Sequence, residues 1–124
     1  MPIRYERDDG HRRAVVTITG LFDLPEMRTC VEQHRTSGAW GYRVLYDLRR
    51  MTGELTKETL GELADLIEPR PGETPRGPVS VVSTYPAMYK LACLYAAMVK
   101  THSTVSIFHD RDEAYAWLNG NVGT

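Results

Sequence analysis

Tyr42-Arg43-Val44-Leu45-Tyr46-Asp47-Leu48 is apolar on nearly every residue around Val44 to Tyr46. A strand covered on both faces reads this way, because neither side alternates with solvent. Val79-Ser80-Val81-Val82-Ser83 and Thr104-Val105-Ser106-Ile107-Phe108 are further strands downstream. Helical periods separate the three. Leu24, Met27, Val31 and His34 recur along one side of a helix over 24–37, capped by Asp23 and ended by Gly38. Thr56 opens a second helix, to Ile67, with Leu60, Leu63, Ala64 and Ile67 inside and a largely acidic outer face. Pro86 starts a third, to about Lys100, and Asp110 with Glu113 opens a fourth, to about Leu118.

Upstream, 3–7 and 13–19 read as two strands joined at Asp8-Asp9-Gly10, a hairpin signal because glycine accepts positive φ. Gly20 is expected to break the second strand, and a polar loop to follow the third through Gly53. The order is ββαβαβαβα. It implies an α/β fold: a mixed five-stranded sheet with an antiparallel first strand, then parallel βα units, and four helices covering its faces. Residues 1–120 are expected to form one domain and 121–124 a C-terminal tail.

The 124 residues are 42% hydrophobic and 25% charged, a globular composition that excludes disordered and fibrous chains. Lys+Arg is 15 and Asp+Glu is 16, so the chain lacks the basic excess of a nucleic-acid binder. The most apolar run, Leu91 to Val99, is too short for stable membrane insertion. No apolar leader follows Met1. Cys30 and Cys93 both fall in helices without a CxxC spacing and read as two buried thiols, so a cytoplasmic location is expected.

Ligands of open α/β sheets bind beyond the carboxyl ends of the parallel strands, which here carry Asp47, Ser83 with Thr84, and His109 with Asp110. Ser83, His109 and Asp47 are the residue types of a hydrolase triad, but Val82-Ser83-Thr84-Tyr85-Pro86 lacks the G-x-S-x-G elbow, so no catalytic residue is assigned. His11, His34, His102 and His109 have no metal-ligand spacing, and no glycine-rich phosphate loop is present, so no metal or cofactor is expected. Arg49-Arg50, Arg70 and Arg76 read as solvated surface.

The helix over 86–100 is apolar almost all round, with Lys90 and Lys100 its only charges. An ordinary surface helix has one charged face. Three coverings are open: the final helix with the 69–78 loop, a second copy of the chain, or a small lipophilic molecule. The residues assigned to a candidate ligand or partner surface are Asp47, Thr56, Ser83, Tyr85, Met88, Tyr89, Tyr95 and His109.

Three stretches together carry a resemblance over roughly residues 3 to 119: Ile18-Thr19-Gly20-Leu21-Phe22-Asp23, Tyr46-Asp47-Leu48-Arg49-Arg50-Met51-Thr52, and the F-x-D-x-x-E-A-x-x-W-L ending from Phe108 to Leu118. In these the chain resembles the SpoIIAA-like, or STAS-like, superfamily, whose founding members are anti-sigma-factor antagonists. The resemblance implies a β/α fold shared with the CRAL-TRIO lipid carriers, and protein binding. It also implies a phosphorylated Ser at the start of the helix after the central strand. Thr56 falls at that place, but the family pattern is Asp-Ser and this chain reads Leu55-Thr56-Lys57. As an N-cap, Thr56 needs no phosphate. The function implied is a non-enzymatic regulatory domain that binds a protein partner or itself as a homodimer. The alternative is a carrier for a small lipophilic ligand, and a small hydrolase is least favoured.

Overall fold

Five strands lie in the sheet in chain order: β1 (Ile3–Asp8), β2 (Arg13–Leu21), β3 (Arg43–Thr52), β4 (Val79–Val82) and β5 (Val105–Phe108). The computed structural model describes residues 3–53 and 55–120, and the tail expected at 121–124 lies outside the described residues. β1 is antiparallel to β2 and every later pairing is parallel. The helices are α1 (Leu24–Thr36), α2 (Lys57–Leu66), α3 (Pro86–Val99) and α4 (Arg111–Gly120). This is the mixed five-stranded, four-helix α/β architecture expected.

Each parallel connection advances one strand in the same direction. Right-handed crossovers of that kind leave all their helices on one face of the sheet. Met27 and Val31 of α1 and Met88, Ala92 and Val99 of α3 accordingly pack with Val16, Ile18, Val44, Tyr46, Val79 and Val81. Leu63, Ala64 and Leu66 of α2 join the same cluster. Only α4 crosses to the opposite face, where Ala114 and Leu118 pack on Leu45 and Val82.

The expected caps form. The Asp23 side chain accepts from the Glu26 N–H, and Thr56 Oγ1 from the Thr59 N–H at 3.1 Å. Gly38 ends α1 with φ +85°. In the first hairpin, however, Arg12 and not Gly10 takes the left-handed conformation, with φ 51°. Gly20 does not end β2. With φ +76° it lies just past a register shift between Thr17 and Thr19, and pairing with β3 continues to Leu21. β3 likewise runs on through Arg49 and Arg50 to Thr52, where a loop was expected. Beyond Asp47 it pairs only with β2, so one edge is free for polar side chains. Cys30 is half-buried and its thiol is pushed up by burial, but Cys93 is exposed, contrary to the expectation for two buried thiols.

Candidate functional site

A sheet whose strand order never reverses has no topological switch point, and therefore lacks the strand-end crevice where α/β ligands usually sit. The polar residues at the strand ends serve other ends. Asp47 is buried on the α4 face of the sheet and takes Arg49 Nε at 2.9 Å, Arg49 Nη2 at 2.8 Å and the Arg49 N–H at 3.2 Å. Burial works to raise its carboxyl, and those hydrogen bonds overcome it, leaving the pKa below the ordinary carboxylate value. Ser83 is fully buried, so it is not part of a surface, and its Oγ has no hydrogen-bond partner among the described residues. His109 is exposed and stacks on Tyr89 with ring centroids 4.0 Å apart. Ser83, His109 and Asp47 thus make no hydrogen-bonded triad. Thr56 is exposed and engaged as the cap of α2.

α3 divides the remaining candidates. Its outer side is only partly covered by the described residues, with Leu94 38% and Met98 42% exposed, and Tyr85, just before the helix, is 57% exposed. Its inner side carries Met88, Ala92 and Tyr95, which line an apolar cavity of about 80 Å³ between the sheet and α1–α3. Ile18, Tyr46 and Val81 form the sheet side, and Met27, Leu60 and Ile67 lie among its other walls. The cavity is not sealed, since Phe22, Leu48 and Leu55 on its lining are only half-buried.

One charged residue enters this lining. Arg76, expected at the surface, reaches inward from the 69–78 loop and forms the wall shared with a second cavity of about 210 Å³, lined by Trp40, Glu73, Pro75 and His102 among others. It comes to rest there because Gly77 presses against the Trp40–Tyr42 backbone. The Gly77 N–H donates to the Trp40 carbonyl at 3.0 Å, and a Cβ at 77 would overlap the Tyr42 carbonyl oxygen. Trp40 is buried and two guanidiniums lie over its ring, Arg35 at 4.4 Å and Arg76 at 5.4 Å from the centroid. His34 completes the belt, with its Nδ1 2.6 Å from the Tyr5 hydroxyl. Burial, then the charges of Arg76 and Arg7, lower its pKa to about 4, so it is neutral at pH 7. Burial pushes the Tyr46 hydroxyl up to about 12, against the opposing pull of Arg76.

The structure therefore brings Met88 and Tyr95 together with Tyr46 and Arg76. It leaves Asp47 on the other face and Tyr85 on the outside. Arg76 was visible in the sequence only as one arginine of a proline-rich loop. The signal that could have marked it is the glycine directly after it.

No helix among the described residues is long and apolar enough to cross a membrane. The described residues hold no group of three or more metal-ligating side chains. Sheet order, helix placement and the hairpin start are those of the SpoIIAA-like, or STAS-like, fold. No protein-family model matches the sequence, and no curated protein does. Solved structures do. An anti-sigma factor antagonist from Mycobacterium paratuberculosis superposes with a TM-score of 0.64 at 22% identity, over 94% of this chain and 92% of that one. An uncharacterized DUF3478-family protein with a SpoIIAA-like fold, from Shewanella loihica, gives 0.60 at 17% identity, over 94% and 91%. The anti-sigma factor antagonist SpoIIAA in its unphosphorylated form gives 0.56 at 14% identity, over 97% and 98%.

Proposed function

We propose that residues 1–120 act as one non-enzymatic, cytoplasmic regulatory domain that binds a protein partner, and that this partner is a second copy of the chain. The partly uncovered outer side of α3 carries the proposal. Leu94 and Met98 expose apolar surface along an element whose only internal charge is Lys90, and Tyr85 is exposed at its start. Such surface is stabilised by a partner that removes it from water, and aromatic and methionine side chains are favoured at interfaces. A fold shared with two anti-sigma factor antagonists supports a protein-binding role. Light scattering after size exclusion tests it. A dimer is expected that dissociates in Leu94→Glu and Met98→Glu. A monomer at every concentration tried would overturn self-association. Met88 and Tyr95 are unsuited to this test, because both face the cavity.

A second reading rests on the cavity itself. An apolar space beneath α3 suits a small lipophilic molecule, and three methionines among its walls, Met27, Met51 and Met88, can adapt to its shape. Native mass spectrometry of the purified protein is expected to reveal such a ligand.

A further inference from the structure

Arg76 carries a full positive charge on the wall of an apolar cavity, and nothing in the described structure neutralises it. Its Nη1 donates to the Tyr95 hydroxyl at 3.3 Å and to Ser103 Oγ at 3.2 Å, and its Nη2 to the Tyr46 hydroxyl at 3.5 Å. All three acceptors are hydroxyls, and the contacts lie at or beyond the long end of the usual range. Among the described residues no carboxylate pairs with it. Glu73, the acid nearest to it in the chain, is occupied by Arg35 Nε at 2.6 Å, Arg35 Nη2 at 3.0 Å and the Arg70 N–H at 3.2 Å. Tyr46 cannot supply a negative charge at neutral pH, because a tyrosine hydroxyl is protonated there and burial pushes this one higher still. A guanidinium in such surroundings favours an anion, and its planar fork matches the two oxygens of a carboxylate.

We propose that the cavity binds a small carboxylic acid with a short apolar tail, its carboxylate on Arg76 and its tail along Val81, Met88 and Ala92. The proposal rests on the second reading above and names its ligand class. The Tyr46 and Tyr95 hydroxyls flank the guanidinium and are able to turn and donate to the same carboxylate. The cavity's size limits the tail. A space of about 150 Å³ accommodates benzene, and the 80 Å³ here is about half of that, so roughly three tail carbons fit inside and the end of a longer tail lies towards the half-buried Phe22, Leu48 and Leu55. A purely structural Arg76, holding the 69–78 loop over Trp40, would require no acid and show no preference for one.

Isothermal titration of the wild-type protein with straight-chain acids from butanoate to decanoate, and with hexan-1-ol, tests this. Hexanoate is expected to bind about tenfold or more tightly than hexan-1-ol, since only the acid makes a charge-assisted bond. In Arg76→Met, hexanoate affinity is expected to fall about tenfold, to the level of the alcohol, while the alcohol is unaffected. Ala92→Leu, which fills the tail space, is expected to abolish both. Equal binding of acid and alcohol by the wild type would overturn the carboxylate assignment and leave the lipophilic cavity standing. So would unchanged hexanoate affinity in Arg76→Met. Failure of every acid and of the alcohol to bind would overturn both readings. The acid–alcohol comparison in the wild type needs no variant, so a folding defect in Arg76→Met does not protect the proposal.

Discussion

α1 is tied to the 69–78 loop by two arginine–carboxylate pairs of the same design and different burial. Glu32 accepts from Arg70 Nη1 at 3.0 Å and Nη2 at 2.7 Å, with both side chains 49% exposed. Glu73 accepts from Arg35 Nε at 2.6 Å and Nη2 at 3.0 Å, with the side chains 2% and 16% exposed for arginine and glutamate. Arg35 also donates to the Leu66 and Glu68 carbonyls at 2.6 Å each, so its whole fork is held. Glu73→Gln removes the counter-charge and leaves the guanidinium where it is. Breaking a buried pair this way costs about 3–5 kcal/mol, and the residual exposure of Glu73 argues for the lower end, about 3 kcal/mol. For a chain of this size that lowers Tm by roughly 12 °C. Glu32→Gln removes the same chemistry in water, and its effect is expected to fall within the error of measurement. Urea unfolding followed by circular dichroism compares the two, and raising the ionic strength should leave the cost of Glu73→Gln largely unchanged. If Glu73→Gln proved no worse than Glu32→Gln, burial would not be what gives the inner pair its weight. The loop that carries Arg76 would then be anchored by something else.

Three further outcomes follow from individual side chains. Folding holds His34 at about 4, below the ordinary 6.5. An unfolded chain therefore takes up a proton that the folded chain refuses. The resulting stability is complete above about pH 6.5, declines as the pH falls, and has lost most of about 3 kcal/mol by pH 4. His34→Gln should flatten that slope, and an imidazole seen by NMR to titrate near 6.5 would contradict it. Gly77→Ala forces a methyl group into the Tyr42 carbonyl, with an expected cost of about 2–3 kcal/mol and a shift in Trp40 emission. An unchanged urea midpoint would show that the backbone contact yields easily. Leu118→Ala, in a cluster where Val15, Phe108, Tyr115 and Trp117 pack around the buried Leu45, Val82, Ala114 and Leu118, is expected to cost about 3 kcal/mol by the same measurement.

Strand and helix order was legible because it rests on local patterns. The strands at Val44–Tyr46, Val79–Val82 and Val105–Phe108 stand out by β-branched and aromatic content, and the caps at Asp23 and Thr56 are single-residue signals. Boundaries set by tertiary pairing were not legible. Arg49 and Arg50 look like loop, yet they extend β3 because Thr19 to Leu21 offer a partner on one edge only. Gly10 looks like the left-handed residue of the first turn. Arg12 takes that conformation instead, and it stacks on the Tyr42 ring at 5.3–5.4 Å together with Arg7. Both are cases where a contact distant in sequence outweighs a local preference.

The candidate site failed to show in the sequence for a related reason. The strand-end rule directed attention to Asp47, Ser83 and His109, but that rule needs a reversal of strand order to open a crevice. Here the order runs straight from β1 to β5, so three helices crowd onto one face and the space lies beneath them. The residues lining it are then ordinary core residues by type, such as Ile18, Val81, Met88 and Ala92, which periodicity assigns to packing. Only Arg76 departs from that type. A loop arginine reads as solvated unless the chain around it is known to turn inward, and Gly77, whose Cβ would strike the Tyr42 carbonyl, makes that turn sterically possible. What distinguishes the cavity from a packing defect is therefore a charge placed by one glycine. The same Gly77→Ala substitution that tests the fold should also displace Arg76 and weaken any acid bound there.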